Sequence, residues 1–139
     1  MENLFMQEHE KGLQIAQEDA YVAKILLKFE LFSSVAYHSQ QAAEKALKAY
    51  LVFKKHELSK THDLIKLFIV CKRFDLEFEK IYGMAEYLNP FATKFRYPTE
   101  FDIPDLSDSR DAVKCANVII KFVLKKIAEP ETGQTRFLS

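Results

Sequence analysis

Seven side chains able to bind or move protons fall within twelve positions: Tyr37, His38, Gln40, Gln41, Glu44, Lys45 and Lys48. Wound at about 100° per residue, Tyr37, Gln40, Gln41, Glu44 and Lys48 gather on one side of a helix, with His38 and Lys45 at its margin. An imidazole, a phenol, two amides and charges of both signs differ from an ordinary solvated face. The bland alternative is pairing along the helix. Glu44 and Lys48 stand at i, i+4 in the favoured order, and Gln41 and Lys45 share that spacing. For His38 the corresponding alternative is a structural hydrogen bond.

Three further groups carry potential chemistry. Thr61, His62 and Asp63 open a helical run, where unpaired amides and the helix dipole attract anions; a plain cap, with the imidazole bonded to a neighbouring helix, would also explain them. Arg96 and Tyr97 precede Pro98 in the one clearly non-helical stretch. Arginine offers a planar fork for phosphate or carboxylate, and tyrosine a face on which a base can stack. The arginine could equally pin the loop onto Glu44 or Glu86. Asn89 stands before Pro90, where capping alone would account for it.

Standard catalytic signatures are missing. Gly12, Gly83 and Gly133 make no phosphate-cradling loop, and no serine sits in a nucleophile elbow. His9, His38, His56 and His62 form no HxxxH pair, and Cys71 and Cys115 have no metal-type spacing, so neither a metal nor a cofactor is expected. Both cysteines lie in apolar helical runs and read as buried free thiols, which fits a reducing cytoplasm.

The elements that must position these residues are helical. With 139 residues, 48% of them hydrophobic, 12 Phe and 6 Tyr, the chain can bury a substantial single core, while 3 Gly and 4 Pro are too few for an all-β fold. Zero formal net charge means that any nucleic-acid contact needs a local patch, and no DNA binding is expected. The N-terminus carries acids and lacks the apolar core of a signal peptide. No apolar run reaches the roughly 18 residues of a membrane span.

Along the chain, residues 8–29 carry Leu13, Ala16, Ala20, Ala23 and Leu27 at helical spacing, with Val22, Ile25, Leu26 and Phe29 widening the arc. Residues 33–54 present a seam of small side chains, Val35, Ala42, Ala46, Ala49 and Phe53, with Ser33 as the expected cap. The two should pack as an antiparallel hairpin. Thr61 is the expected cap of a third helix with Asp63 in its first turn, and Asp75 that of a fourth. That fourth helix should break or kink at Pro90, with Asn89 as a new cap. Ser107 or Asp108 should cap a fifth, built on Val113, Ala116, Ile120, Leu124 and Ile127. The expected architecture is an all-α, up-and-down bundle of about five helices, the last one or two packing across a four-helix core. A single domain spans 8–128, with a loose tail at 129–139.

The block AYHSQQAAEKALKAYL at residues 36–51, then THDL at 61–64, LN at 88–89 and RYP at 96–98, resembles the HEPN family (higher eukaryotes and prokaryotes nucleotide-binding) in order and approximate spacing over residues 10–128. The resemblance implies a helical bundle, usually a homodimer, in bacteria or archaea. It also implies an association with a minimal nucleotidyltransferase as a two-component or toxin–antitoxin pair. Several branches of the family are metal-independent ribonucleases carrying an arginine followed four to six residues later by histidine. Here Arg73, Arg96, Arg110 and Arg136 have no such histidine.

The leading expectation is therefore a homodimeric, cytoplasmic, non-enzymatic module that holds a nucleotide, RNA or partner nucleotidyltransferase. Lys45, Lys48 and Arg96 would meet phosphate. Tyr37, His38, Gln41 and Tyr97 would touch base or sugar, with Glu44, His62, Asp63 and Asn89 completing the site. One rival is a ribonuclease toxin using His38 or His62 as general base and Arg96 to stabilise the transition state, a role for which imidazole, titrating near neutral pH, is suited. The other is a scaffold whose polar face is purely structural.

Overall fold

The computed structural model describes residues 6–57, 60–94 and 103–130. Its helices are α1 (Glu8–Lys28), α2 (Phe32–Phe53), α3 (Leu64–Phe74), α4 (Tyr82–Leu88), α5 (Phe91–Lys94) and α6 (Leu106–Ala128), with a 3-10 segment, Leu76–Ile81, running directly into α4. No strand occurs among the described residues. The chain is an all-α bundle.

Helix α2 is its axis, packed against α1, α3 and α6. Twelve of its 22 residues are buried, so it is covered on more than the alanine side. Val35, Ala42, Ala46 and Ala49 face the core as the spacing predicts. The small seam lets α1 come close: a Cβ added at Gly12 would stand 3.2 Å from the Ala49 Cβ. Leu13, Ala16 and Ala23 of α1 are buried, but the arc does not widen as expected, since Val22 and Phe29 face solvent.

Several predicted caps are displaced. Helix α2 starts at Phe32 without a side-chain cap, so Ser33 lies inside it. Backbone bonds close the turn before it instead. Glu30, at φ 58°, donates to the Leu27 carbonyl, and Leu31 donates to that of Leu26, a Schellman ending with a non-glycine residue in the left-handed position. Lys55, at φ 60°, ends α2 the same way. Asp63, not Thr61, caps α3: its Oδ1 accepts from the amides of Ile65 and Lys66, while the Thr61 hydroxyl oxygen accepts from the Asp63 amide. The carboxylate wins because charge-assisted bonds to backbone amides are the stronger. Asp105 caps α6 in a reciprocal box with Asp108, displacing Ser107 and Asp108 from that role.

Asp75 does cap the element after α3, accepting from the Glu77 amide. The chain also breaks at Asn89–Pro90, between α4 and α5. The buried line of α6 runs through Ala112, Ala116, Ile119, Ile120 and Val123 and on to Lys126, rotated from the predicted stripe so that Val113, Leu124 and Ile127 sit at its edge. Lys126 ends the stripe by pairing with Asp75 at 2.9 Å and with Glu77, joining the end of α6 to the 3-10 segment.

Candidate functional site

The polar side of α2 is divided between two neighbours. Toward α3, the Glu44 carboxylate is 5% exposed and meets Lys48 Nζ at 3.1 Å and His62 Nδ1 at 3.0 Å. A buried carboxylate is costly to desolvate unless paired and hydrogen-bonded, and both partners meet that need. The His62 ring is 73% exposed. Donating Nδ1–H to Glu44 leaves its Nε2 as the accepting nitrogen on an open ring. Buried Gln40 donates to the His62 carbonyl oxygen at 3.2 Å, and Gln41 donates to the Gln40 side-chain oxygen at 2.7 Å. The backbone that carries the imidazole is thereby tied to α2.

The N-terminus of α3 is already satisfied. Besides the two amides taken by Asp63, the Leu64 amide donates to Asn89 Oδ1 at 2.8 Å, and Asn89 Nδ2 donates to Asp63 Oδ1 at 3.1 Å. Asn89 therefore braces α3 from the end of α4 and does not cap the helix that follows it. The protein's own carboxylate occupies the place an external anion would take.

Toward α1, Asp19 takes His38 Nδ1 at 3.2 Å and the Lys45 ammonium. The Tyr37 ring stands edge-on to His38, centroids 5.5 Å apart. Each carboxylate thus holds one histidine and one lysine, so Lys45 and Lys48 both have an acidic partner. Between α1 and α2 these two lysines rim a shallow groove of about 220 Å³ whose floor is Gly12, Ile15, Ala49 and Val52.

Asp19 did not emerge from the sequence reading. Its signal was present: an acid three residues after Ala16 and four before Ala23 occupies core spacing and needs a partner. Arg96 and Tyr97 lie outside the described residues, as do residues 131–139 of the expected tail.

The cysteines are not poised as nucleophiles. Burial pushes the Cys71 thiol far above its ordinary range, and burial followed by the Asp111 charge raises that of Cys115. Among the described residues no three His, Cys, Asp or Glu side chains converge as metal ligands, and no helix is long and apolar enough to cross a membrane.

Comparison with known proteins places this geometry in context. A Methanocaldococcus jannaschii protein named "Putative toxin MJ1304" is 47% identical over 49 residues, a match spanning 32% of each chain. The structure of TT1696 from Thermus thermophilus superposes with a TM-score of 0.74 at 20% identity, over 87% of this chain and 99% of that one. That of ST0689, an archaeal HEPN homologue, gives 0.68 at 22% identity, over 88% and 99%. At these identities the two structures speak for the fold. The HEPN domain model matches residues 9–127, nearly the whole helical bundle, and the chain belongs to the HEPN family.

Proposed function

We propose that the chain is a nucleotide- or RNA-binding module of a toxin–antitoxin or two-component system, working as a homodimer with a minimal nucleotidyltransferase as its partner. The observation that carries this reading is the His62 ring, held through Nδ1 by a buried Glu44 while 73% exposed. Such a ring offers Nε2 to a ligand hydroxyl when neutral and a cationic donor to phosphate when protonated. Lys48, tied to the same carboxylate, adds a positive charge beside it, and Lys45, His38 and Tyr37 extend the polar strip toward α1. Gln41, Asp63 and Asn89 act through positioning: the first through Gln40, the other two by bracing α3. Arg96 and Tyr97, outside the described residues, are assigned to the phosphate and the base by their side-chain chemistry alone. Membership of the HEPN family and the toxin-named relative support the cellular setting.

Calorimetric titration with nucleoside mono- and triphosphates, and anisotropy with short single-stranded RNA, tests the reading. His62→Ala should weaken binding by about 10-fold, the size of one charge-assisted contact, with helicity unchanged. No heat at millimolar nucleotide together with no RNA binding would refute it.

The arrangement of Glu44 and His62 favours a second reading, in which His62 is the general base of a metal-independent ribonuclease. Cleavage of total RNA in the presence of chelator, abolished by His62→Ala, would replace the first reading with the second. Cleavage that survives His62→Ala, His38→Ala and Arg96→Ala would remove the proposed site from either reading.

A further inference from the structure

A groove between α1 and α6 gathers lysines that no carboxylate holds. It encloses about 350 Å³, with Tyr21, Lys24, Asn117 and Lys121 on its rim and Ile120 and Leu124 in its floor. Both helices supply the charge. On α1, Tyr21, Lys24 and Lys28 follow one another at spacings of 3 and 4, and on α6, Arg110, Lys114, Lys121 and Lys125 at 4, 7 and 4. Each set falls on one helical face, and every member is exposed. Helix α1 runs antiparallel to α6, since Gly12 stands against Ala49 while Phe122 meets Phe78, which packs on Tyr50. Lys24 and Lys28 therefore lie toward Arg110 and Lys114, and Lys121 and Lys125 carry the line the other way, over about 22 Å of α6.

The nearby acids are turned elsewhere. Asp19 faces α2, where it holds His38 and Lys45. Glu18 stands at the outer edge beside Tyr21, and Asp111 lies on the α4 side of α6. Glu10 shares the Lys24 side of α1 but precedes it by about 21 Å. Among the described residues none of Lys24, Lys28, Arg110, Lys114, Lys121 and Lys125 forms an ion pair. Lys45 and Lys48, by contrast, must give up Asp19 and Glu44 to meet a phosphate.

A line of unneutralised cations beside an open aromatic ring suits a single nucleic-acid strand: the cations follow the backbone and a base stacks on the ring. Tyr21 is 64% exposed. An acidic peptide would satisfy the lysines but leave that ring unused. We infer that the α1–α6 groove is a second nucleic-acid contact, which takes the phosphate backbone of single-stranded RNA along Lys24, Lys28, Lys121 and Lys125 with a base stacked on Tyr21. This rests on the RNA part of the function proposed above and adds a surface separate from His62.

Anisotropy of the full chain with a single-stranded oligoribonucleotide of about ten residues tests the groove. Lys24→Gln combined with Lys121→Gln should weaken binding by about 10-fold at low salt. The slope of log affinity against log salt should fall by about 1.4, the share of two phosphate contacts. Tyr21→Ala should weaken binding by about 10-fold and leave that slope unchanged. Lys11→Gln combined with Lys55→Gln removes the same charge away from the groove and should leave affinity within about 2-fold. All these positions are exposed, and unchanged melting temperatures would show that the variants fold.

An equal loss in the Lys11 and Lys55 pair overturns the groove in favour of net charge alone. Affinity that survives both groove variants but falls with His62→Ala overturns the groove and leaves the α2 site standing. A wild type that binds no RNA overturns both this contact and the RNA part of the function. A labelled oligoglutamate peptide that binds more tightly than the RNA, indifferent to Tyr21→Ala, gives the groove to an acidic protein segment and overturns the RNA contact.

Discussion

Glu44 is the residue on which the candidate site depends most. Its carboxylate is nearly inaccessible, and its only relief from desolvation among the described contacts is the pair of bonds to Lys48 and His62. Glu44→Ala should cost about 1–2 kcal/mol in urea unfolding, the loss of charge-assisted hydrogen bonds whose remaining partners, Lys48 and His62, can turn to water. It should also weaken ligand binding through loss of the His62 orientation. Glu77 makes the contrasting case at the surface. Its hydrogen bonds to Lys126 and then Lys80, with the charges of both, hold its carboxyl down at about 2. A depressed folded-state value stabilises the fold above the unfolded carboxyl range near 4, and that stabilisation is lost as pH falls toward 2. The stability difference between wild type and Glu77→Gln should therefore be constant from pH 7 to about 5 and shrink as pH falls toward 2. For Lys126 itself burial favours the neutral amine, but hydrogen bonds to Glu77 and Asp75 more than reverse this and hold the ammonium charged. The cluster is a fastener between α6 and the 3-10 segment.

The helices are held by ends as much as by faces. Asn89 bonds both the first amide of α3 and its capping carboxylate. Asn89→Ala should lower stability by about 1–2 kcal/mol and raise amide exchange at Leu64 before the rest of α3. The turns after α1 and α2 present the opposite situation, in which a better residue is available. Glu30 and Lys55 sit at positive φ, where a side chain costs roughly 1 kcal/mol that glycine avoids. Glu30→Gly and Lys55→Gly should each raise the melting temperature by a few degrees in calorimetry. A decrease in either would mean that the side chain makes a contact outweighing the backbone strain.

The whole molecule is a bundle organised around one long central helix, with a polar strip on one flank and an unpartnered apolar line on α1. The HEPN domain match covers nearly all of that bundle, and the first ligand surface proposed above is the strip of paired charges. Lys45 and Lys48 already spend their charge on Asp19 and Glu44. A phosphate ligand must compete with those carboxylates, which predicts modest affinity that falls steeply with added salt. Titrations at low and physiological salt measure this directly, and salt-independent binding would place the ligand elsewhere.

By itself the sequence determined the helical class, the alanine seam of α2, the break at Pro90 and the family, because periodicity and a contiguous motif are local properties. Caps were legible only to within a few residues. Thr61 and Asp63, or Asp105, Ser107 and Asp108, compete for the same amides, and the bonded geometry chooses among them. The tertiary structure alone decided which side chains meet across elements. Asn89 reaches back 25 positions to α3 and Glu44 forward 18 to His62. Asp19, silent in the spacing of α2, binds two of its residues. A sequence shows what a face contains, but pairing across helices depends on their crossing and rotation, which only the packed core sets.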